Sequence, residues 1–184
     1  MNRRRLQLVL AIGVMSLLGA VGVAVATGGG KDIRERLTGY EETPQALSTP
    51  ANGDFKARLS RFSETLSYRL SYRDFETDVT QAHIHFGARA TSGGISVWLC
   101  GNPSATITPP AGTPTCPLRE GSVSGVLEPD DVVGPGGQGI GPGEWEELVD
   151  AIRAGVTYAN VHSTARPPGE IRAQLDDDGD HDRD

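Results

Sequence analysis

At 184 residues and a formal net charge of -7, the chain is long enough for one domain and not comfortably for two, and its acidity speaks against a nucleic-acid partner. Apolar residues make up 37 % of it, part of them spent at the N-terminus, so the core is expected to be modest. The 24 glycines and 12 prolines favour turns and short strands over long helices.

Asn2-Arg3-Arg4-Arg5 is a basic n-region, and Leu6 to Ala26 is almost uninterrupted apolar sequence. Ala24-Val25-Ala26 matches the small-residue rule for signal-peptide cleavage. The run is also about 20 residues long, enough to cross a bilayer as a retained anchor. Residues 1-26 thus read as a signal peptide or a membrane anchor, and either places the remainder outside the cytoplasm. The expected location is secreted or extracytoplasmic, with any membrane contact confined to that segment. Residues 27-35 read as a linker, although Ile33 to Gly39 is a candidate first strand.

The body from residue 36 to 175 alternates with period two. Phe55, Ala57 and Leu59 alternate with Lys56 and Arg58, and Leu66, Tyr68, Leu70 and Tyr72 alternate with Ser67, Arg69, Ser71 and Arg73. Both read as half-buried antiparallel strands with a hairpin turn at Arg61 to Glu64. Val79 to Phe86, Gly94 to Leu99, Ser122 to Leu127, Val156 to Ser163 and Glu170 to Leu175 are further candidates. About eight short strands with turns between them predict an all-β, antiparallel β-sandwich.

Cys100 and Cys116 are the only cysteines. In an exported chain they are expected to form a disulfide, closing a proline-rich loop at a gain of roughly 3 kcal/mol. A cysteine-ligated metal is the rival reading, but it lacks further partners at close spacing. Gly134 to Gly143 reads as a connector. One helix follows, with Pro142 suiting its first turn and Trp145, Leu148, Val149 and Ile152 on one face as core. Gly155 supplies the stop, and Asp176 to Asp184 reads as an acidic disordered tail.

Two stretches resemble each other. Ala82-His83-Ile84-His85 is followed by a loop and Gly93-Gly94-Ile95-Ser96-Val97-Trp98-Leu99. Ala159-Asn160-Val161-His162 is followed by a loop and Gly169-Glu170-Ile171-Arg172-Ala173-Gln174-Leu175. Each reads as a strand, a turn and a returning strand. Period two puts His83 and His85 on one face, Tyr158, Asn160 and His162 on one face, and Glu170, Arg172 and Gln174 on one face. If both hairpins face the same way, three of the four histidines gather on one surface.

These residues also carry a resemblance. Leu37-Thr38-Gly39-Tyr40-Glu41-Glu42-Thr43-Pro44, Ala82-His83-Ile84-His85-Phe86-Gly87, Tyr158-Ala159-Asn160-Val161-His162-Ser163 and Pro168-Gly169-Glu170-Ile171-Arg172 are similar, in this order, to the motifs of the chordin (CHRD) domain family. Ser163 stands where those motifs usually have Thr, and Ala173 where they usually have Gly. The resemblance implies an extracellular β-sandwich module, and names a fold better than an activity.

The polar set supports two functions. In the first, His83, His85 and His162 join Tyr158, Asn160, Glu170 and Arg172 in a structural network, with Arg172 paired to Glu170 or another carboxylate. The domain is then a binding or scaffold module for an extracellular or cell-envelope partner that the sequence does not name. In the second, the three imidazoles bind copper or zinc. The architecture would then resemble that of copper–zinc superoxide dismutases, without their bridging histidine or zinc-binding aspartate. No catalysis is expected. There is no Gly-x-Ser-x-Gly elbow, and Glu41 and Glu42, as neighbours on a strand, would point opposite ways.

Overall fold

The computed structural model describes residues 30–60, 64–104 and 106–176. The leader, most of the 61–64 turn, and the tail beyond Asp176 with His181 lie outside the described residues. The described residues form eight strands in chain order: β1 (Lys31–Thr38), β2 (Asn52–Leu59), β3 (Leu66–Arg73), β4 (Val79–Phe86), β5 (Gly94–Gly101), β6 (Gly121–Leu127), β7 (Thr157–Ser163) and β8 (Ile171–Gln174). The one α-helix among the described residues, α1 (Trp145–Arg153), lies between β6 and β7.

The expected antiparallel all-β class holds. The two layers of the sandwich are halves of one continuous sheet, ordered β5-β4-β7-β8-β1-β2-β3-β6, which wraps nearly into a barrel. Its inner face collects Ile33, Leu37, Phe55, Leu70, Ile84, Leu99, Val161 and Ile171 from strands throughout the order. Period two is clearest in β2 and β3, where buried and more exposed residues alternate strictly. Arg34, Lys56 and Arg69 are therefore exposed, and they pair directly across β1, β2 and β3.

Helix α1 fills the space left by the sheet with Trp145, Leu148, Val149 and Ile152, the stripe read from the sequence. Its start differs from expectation: Pro142 precedes it, and Glu144 sits at the cap, accepting a hydrogen bond from Gly141 N at 2.6 Å. Gly155 ends the helix at φ 67°, where a residue with a Cβ would be strained. Two boundaries also shift. β1 begins at Lys31, so residues 31–35 belong to the sheet and not to a linker. Asp176, read as the first residue of the tail, pairs with Arg89.

Strand β5, at one end of the sheet order, is bonded by segments outside it. Gln138 Oε1 accepts from Gly94 N, Val133 N donates to Ser96 O, Tyr68 Oη donates to Leu99 O, and Gly101 N donates to Pro114 O. Cys100 and Cys116 form the expected disulfide, which ties β5 to the chain just after Pro114. Among the described residues no helix is long and apolar enough to cross a membrane.

Candidate functional site

The two similar stretches form the hairpins β4–β5 and β7–β8, and they meet along β4 and β7. The register there pairs His83 with Asn160, residues at the same place in the two motifs, and Ala82 with Val161 and Ile84 with Ala159 on either side. The pairing is thus symmetric about His83 and Asn160, the arrangement that a duplicated hairpin produces. It puts the polar faces of both hairpins on one side of the sheet, the condition under which the three histidines gather.

That side is not solvated. Every residue of β7 and β8 is buried. Ile84, Ala159, Val161 and Ile171 point into the core, while the polar face is covered by loops. The loop after β1 brings Glu42, Thr43 and Thr49. The β4–β5 loop brings the carbonyls of Ala88, Thr91 and Gly93, and the β7–β8 loop brings that of Pro167.

Three imidazoles converge beneath this cover. His83, His85 and His162 are 0 %, 7 % and 5 % exposed, and each offers a ring nitrogen within 4.8 Å of the others. Register shifts in the β4–β5 pairing fall between Ala82 and His83 and between Ile84 and His85, where bulges re-aim side chains. His85 Nδ1 lies 3.0 Å from Gly93 O, and His162 Nδ1 lies 2.9 Å from Pro167 O. A carbonyl only accepts, so both Nδ1 atoms carry the proton and both Nε2 atoms carry a lone pair. His83 Nδ1 lies 3.2 Å from His162 Nε2 and donates to it. His83 Nε2 and His85 Nε2 are then buried acceptors with no partner among the described residues.

Aromatic side chains flank the imidazoles. Trp98, paired with His83 across β4 and β5, meets its ring edge-on at 4.2 Å, and Tyr158 stacks on His85 at 4.8 Å. Burial, reinforced by the neighbouring imidazoles, pushes His83 well below the usual histidine range. Burial likewise brings His85 and His162 down to about 4. All three rings are neutral near pH 7.

The network residues occupy the rest of the covered face. Asn160 Nδ2 donates to Glu42 Oε1 at 2.6 Å and to Ile171 O at 3.0 Å. Glu170 is held by Thr49 Oγ1 at 2.7 Å and by Ser163 Oγ. The expected pairing of Arg172 with Glu170 or another carboxylate is not found among the described residues. Arg172 instead donates to Thr43 Oγ1, to the carbonyls of Thr91 and Ala88, and to Gln174 Oε1. Its guanidinium lies over the Tyr158 ring. Arg172 thus stitches two covering loops to β8, a task its five fixed donors suit better than a single ion pair.

Glu42 is a buried residue of this polar face that reasoning on strands missed. Glu41 and Glu42 lie at the 3-10 turn Gly39–Glu41, not on a strand; Glu41 reaches out to Arg89 while Glu42 is buried. Burial raises the Glu42 carboxyl to about 7, against the lowering effects of Asn160 and Arg172. Its signal was present in the Glu42-Thr43-Pro44 end of the first motif.

No curated protein and no solved structure matches the chain. Residues 33–175, from Ile33 in β1 to Leu175 after β8, match the CHRD domain. That span holds the sheet core, the helix, the disulfide, all three buried histidines and the loops that cover them, and the chain belongs to the CHRD domain family.

Proposed function

We propose that this protein is an exported CHRD module that binds one copper or zinc ion through His83, His85 and His162. The observation that carries the reading is the convergence of three buried neutral imidazoles, two of which, His83 and His85, keep an unpartnered Nε2 among the described residues while His162 Nε2 accepts from His83. A buried acceptor left without a partner costs roughly 1–3 kcal/mol, a cost that a bound ion would remove. Here His83 Nε2 and His85 Nε2 both lack a partner among the described residues. The backbone carbonyls on the far nitrogens of His85 and His162 fix tautomer and ring orientation, as partners of metal-ligating histidines do. Export rests on the Arg3 to Ala26 leader and agrees with the Cys100–Cys116 disulfide. The remaining polar residues serve as scaffold for the site, and no catalytic step is assigned to them.

The test is a thermal melt of wild type and His162→Ala, each with and without one equivalent of Cu or Zn. At a free ion concentration a hundredfold above Kd, binding adds about 2.7 kcal/mol, an upward shift of several degrees. The shift is expected in wild type and absent in the variant. If neither melt moves with either metal while His162→Ala is clearly less stable, His162 is structural and the metal reading fails.

A further inference from the structure

We infer that the ion this site is built to take is monovalent copper rather than a divalent ion. The inference rests on the proposed metal site, and its argument is charge and coordination number.

The three donors are neutral imidazoles, and among the described residues no fourth histidine, cysteine or carboxylate joins them within ligand distance. The buried carboxylates nearby are engaged elsewhere: Glu42 with Asn160, and Glu170 with Thr49 and Ser163. Arg172 brings positive charge over Tyr158, the ring that stacks on His85. The ligand shell therefore offers an incoming ion no compensating charge. The desolvation cost of burying an ion scales with the square of its charge, so a divalent ion meets about four times the penalty of a monovalent one of equal size. With ligands 0 %, 7 % and 5 % exposed, that difference falls in the low-dielectric interior, where it weighs most.

Coordination number points the same way. Zinc closes structural sites with four protein ligands and keeps water in the fourth place of catalytic ones. Divalent copper prefers four or more donors in a tetragonal arrangement. Three imidazoles walled by Trp98 and Tyr158 and covered by loops match the low coordination number that monovalent copper accepts without water.

The experiment is an anaerobic titration of purified protein with Cu⁺, using a chromophoric Cu⁺ chelator as competitor, then Zn²⁺ competition, then exposure to air with electron paramagnetic resonance readout. The expected result is one Cu⁺ per chain, displaced by Zn²⁺ only at about a thousandfold excess or more, and no Cu²⁺ signal after air. His83→Ala is expected to weaken Cu⁺ uptake by about a hundredfold or more, and the wild-type titration decides the matter even if that variant does not fold. Displacement by Zn²⁺ within about a tenfold excess, or a stoichiometric Cu²⁺ signal after air, overturns the valence inference and leaves the metal site standing. Uptake of neither ion overturns both.

Discussion

The Arg172 guanidinium lies 3.5 Å from the centroid of the Tyr158 ring, which in turn stacks on His85. A cation on β8 is thereby coupled through one aromatic ring to an imidazole on β4. Burial is the main cause of the low His85 pKa, Gly93 opposes it, and Arg172 adds to it. Arg172→Gln should therefore raise the His85 pKa above about 4, yet leave it below the 6.5 reference because the burial persists. An NMR titration of the imidazole signals reads this directly. An unchanged value would show that the guanidinium charge does not reach His85.

The pH dependence of stability follows from two opposed groups. His85 and His162, near 4 in the fold against 6.5 as reference, make stability complete above about 6.5 and remove it as pH falls toward 4. Each shift corresponds to roughly 3 kcal/mol. Glu42 is raised to about 7 from 4.5, so its contribution is complete below about 4.5 and is lost as pH rises through 7. The imidazoles outnumber the carboxyl, and metal-free protein should lose stability from pH 6.5 to pH 4.5. Glu42→Gln removes the opposing limb, so its stability should rise more steeply with pH up to neutrality. Urea midpoints across that range test both statements, and a wild type more stable at pH 5 than at pH 7 would contradict them.

Gly169 is required by contact as well as by conformation. At φ 141°, a Cβ there would lie 2.5 Å from Asn160 Oδ1 and 2.9 Å from Glu42 Oε1. Gly169→Ala must push apart the pair that anchors the first covering loop. The expected loss is about 1–3 kcal/mol, measured as a lower melting temperature. Gly137→Ala, where a Cβ meets nothing within 4 Å, should cost far less.

The exposed row Arg34, Lys56 and Arg69 sets three cations side by side across β1, β2 and β3. Like charges directly opposite each other destabilise a sheet by a few tenths of a kcal/mol or more. Lys56→Glu should therefore raise the melting temperature slightly, and the gain should shrink as salt screens it. A loss of stability at low salt would show that the row is not under repulsive load.

The strands were legible because a sheet with one wet face writes period two into its sequence, as β2 and β3 do. The helix was legible from its apolar stripe. The faces of His83, His85 and His162 followed from the same alternation, and their convergence from the likeness of the two hairpins. Burial did not. β7 and β8 are buried on both sides because loops cover their polar face, and alternation of residue type says nothing about a loop folding back. The roles of Glu42, Thr43 and Thr49 were hidden for the same reason, since they come from a connection far from the histidines in sequence. For Arg172, a partner in Glu170 or another carboxylate was expected because chemistry suggests ion pairs, whereas the loops brought carbonyls and a hydroxyl to it.

The hydrogen bonds along the outer side of β5 bear on self-association. A strand at the end of a sheet is a template on which another chain can add a strand. Gln138, Val133, Tyr68 and Pro114 already occupy backbone groups of β5, so an incoming chain finds those positions taken. One of these contacts, from Pro114 to Gly101, lies beside the Cys100–Cys116 crosslink. Cutting that crosslink frees the segment to leave, so a reducing environment does more than soften the fold: it uncovers part of an aggregation-competent edge.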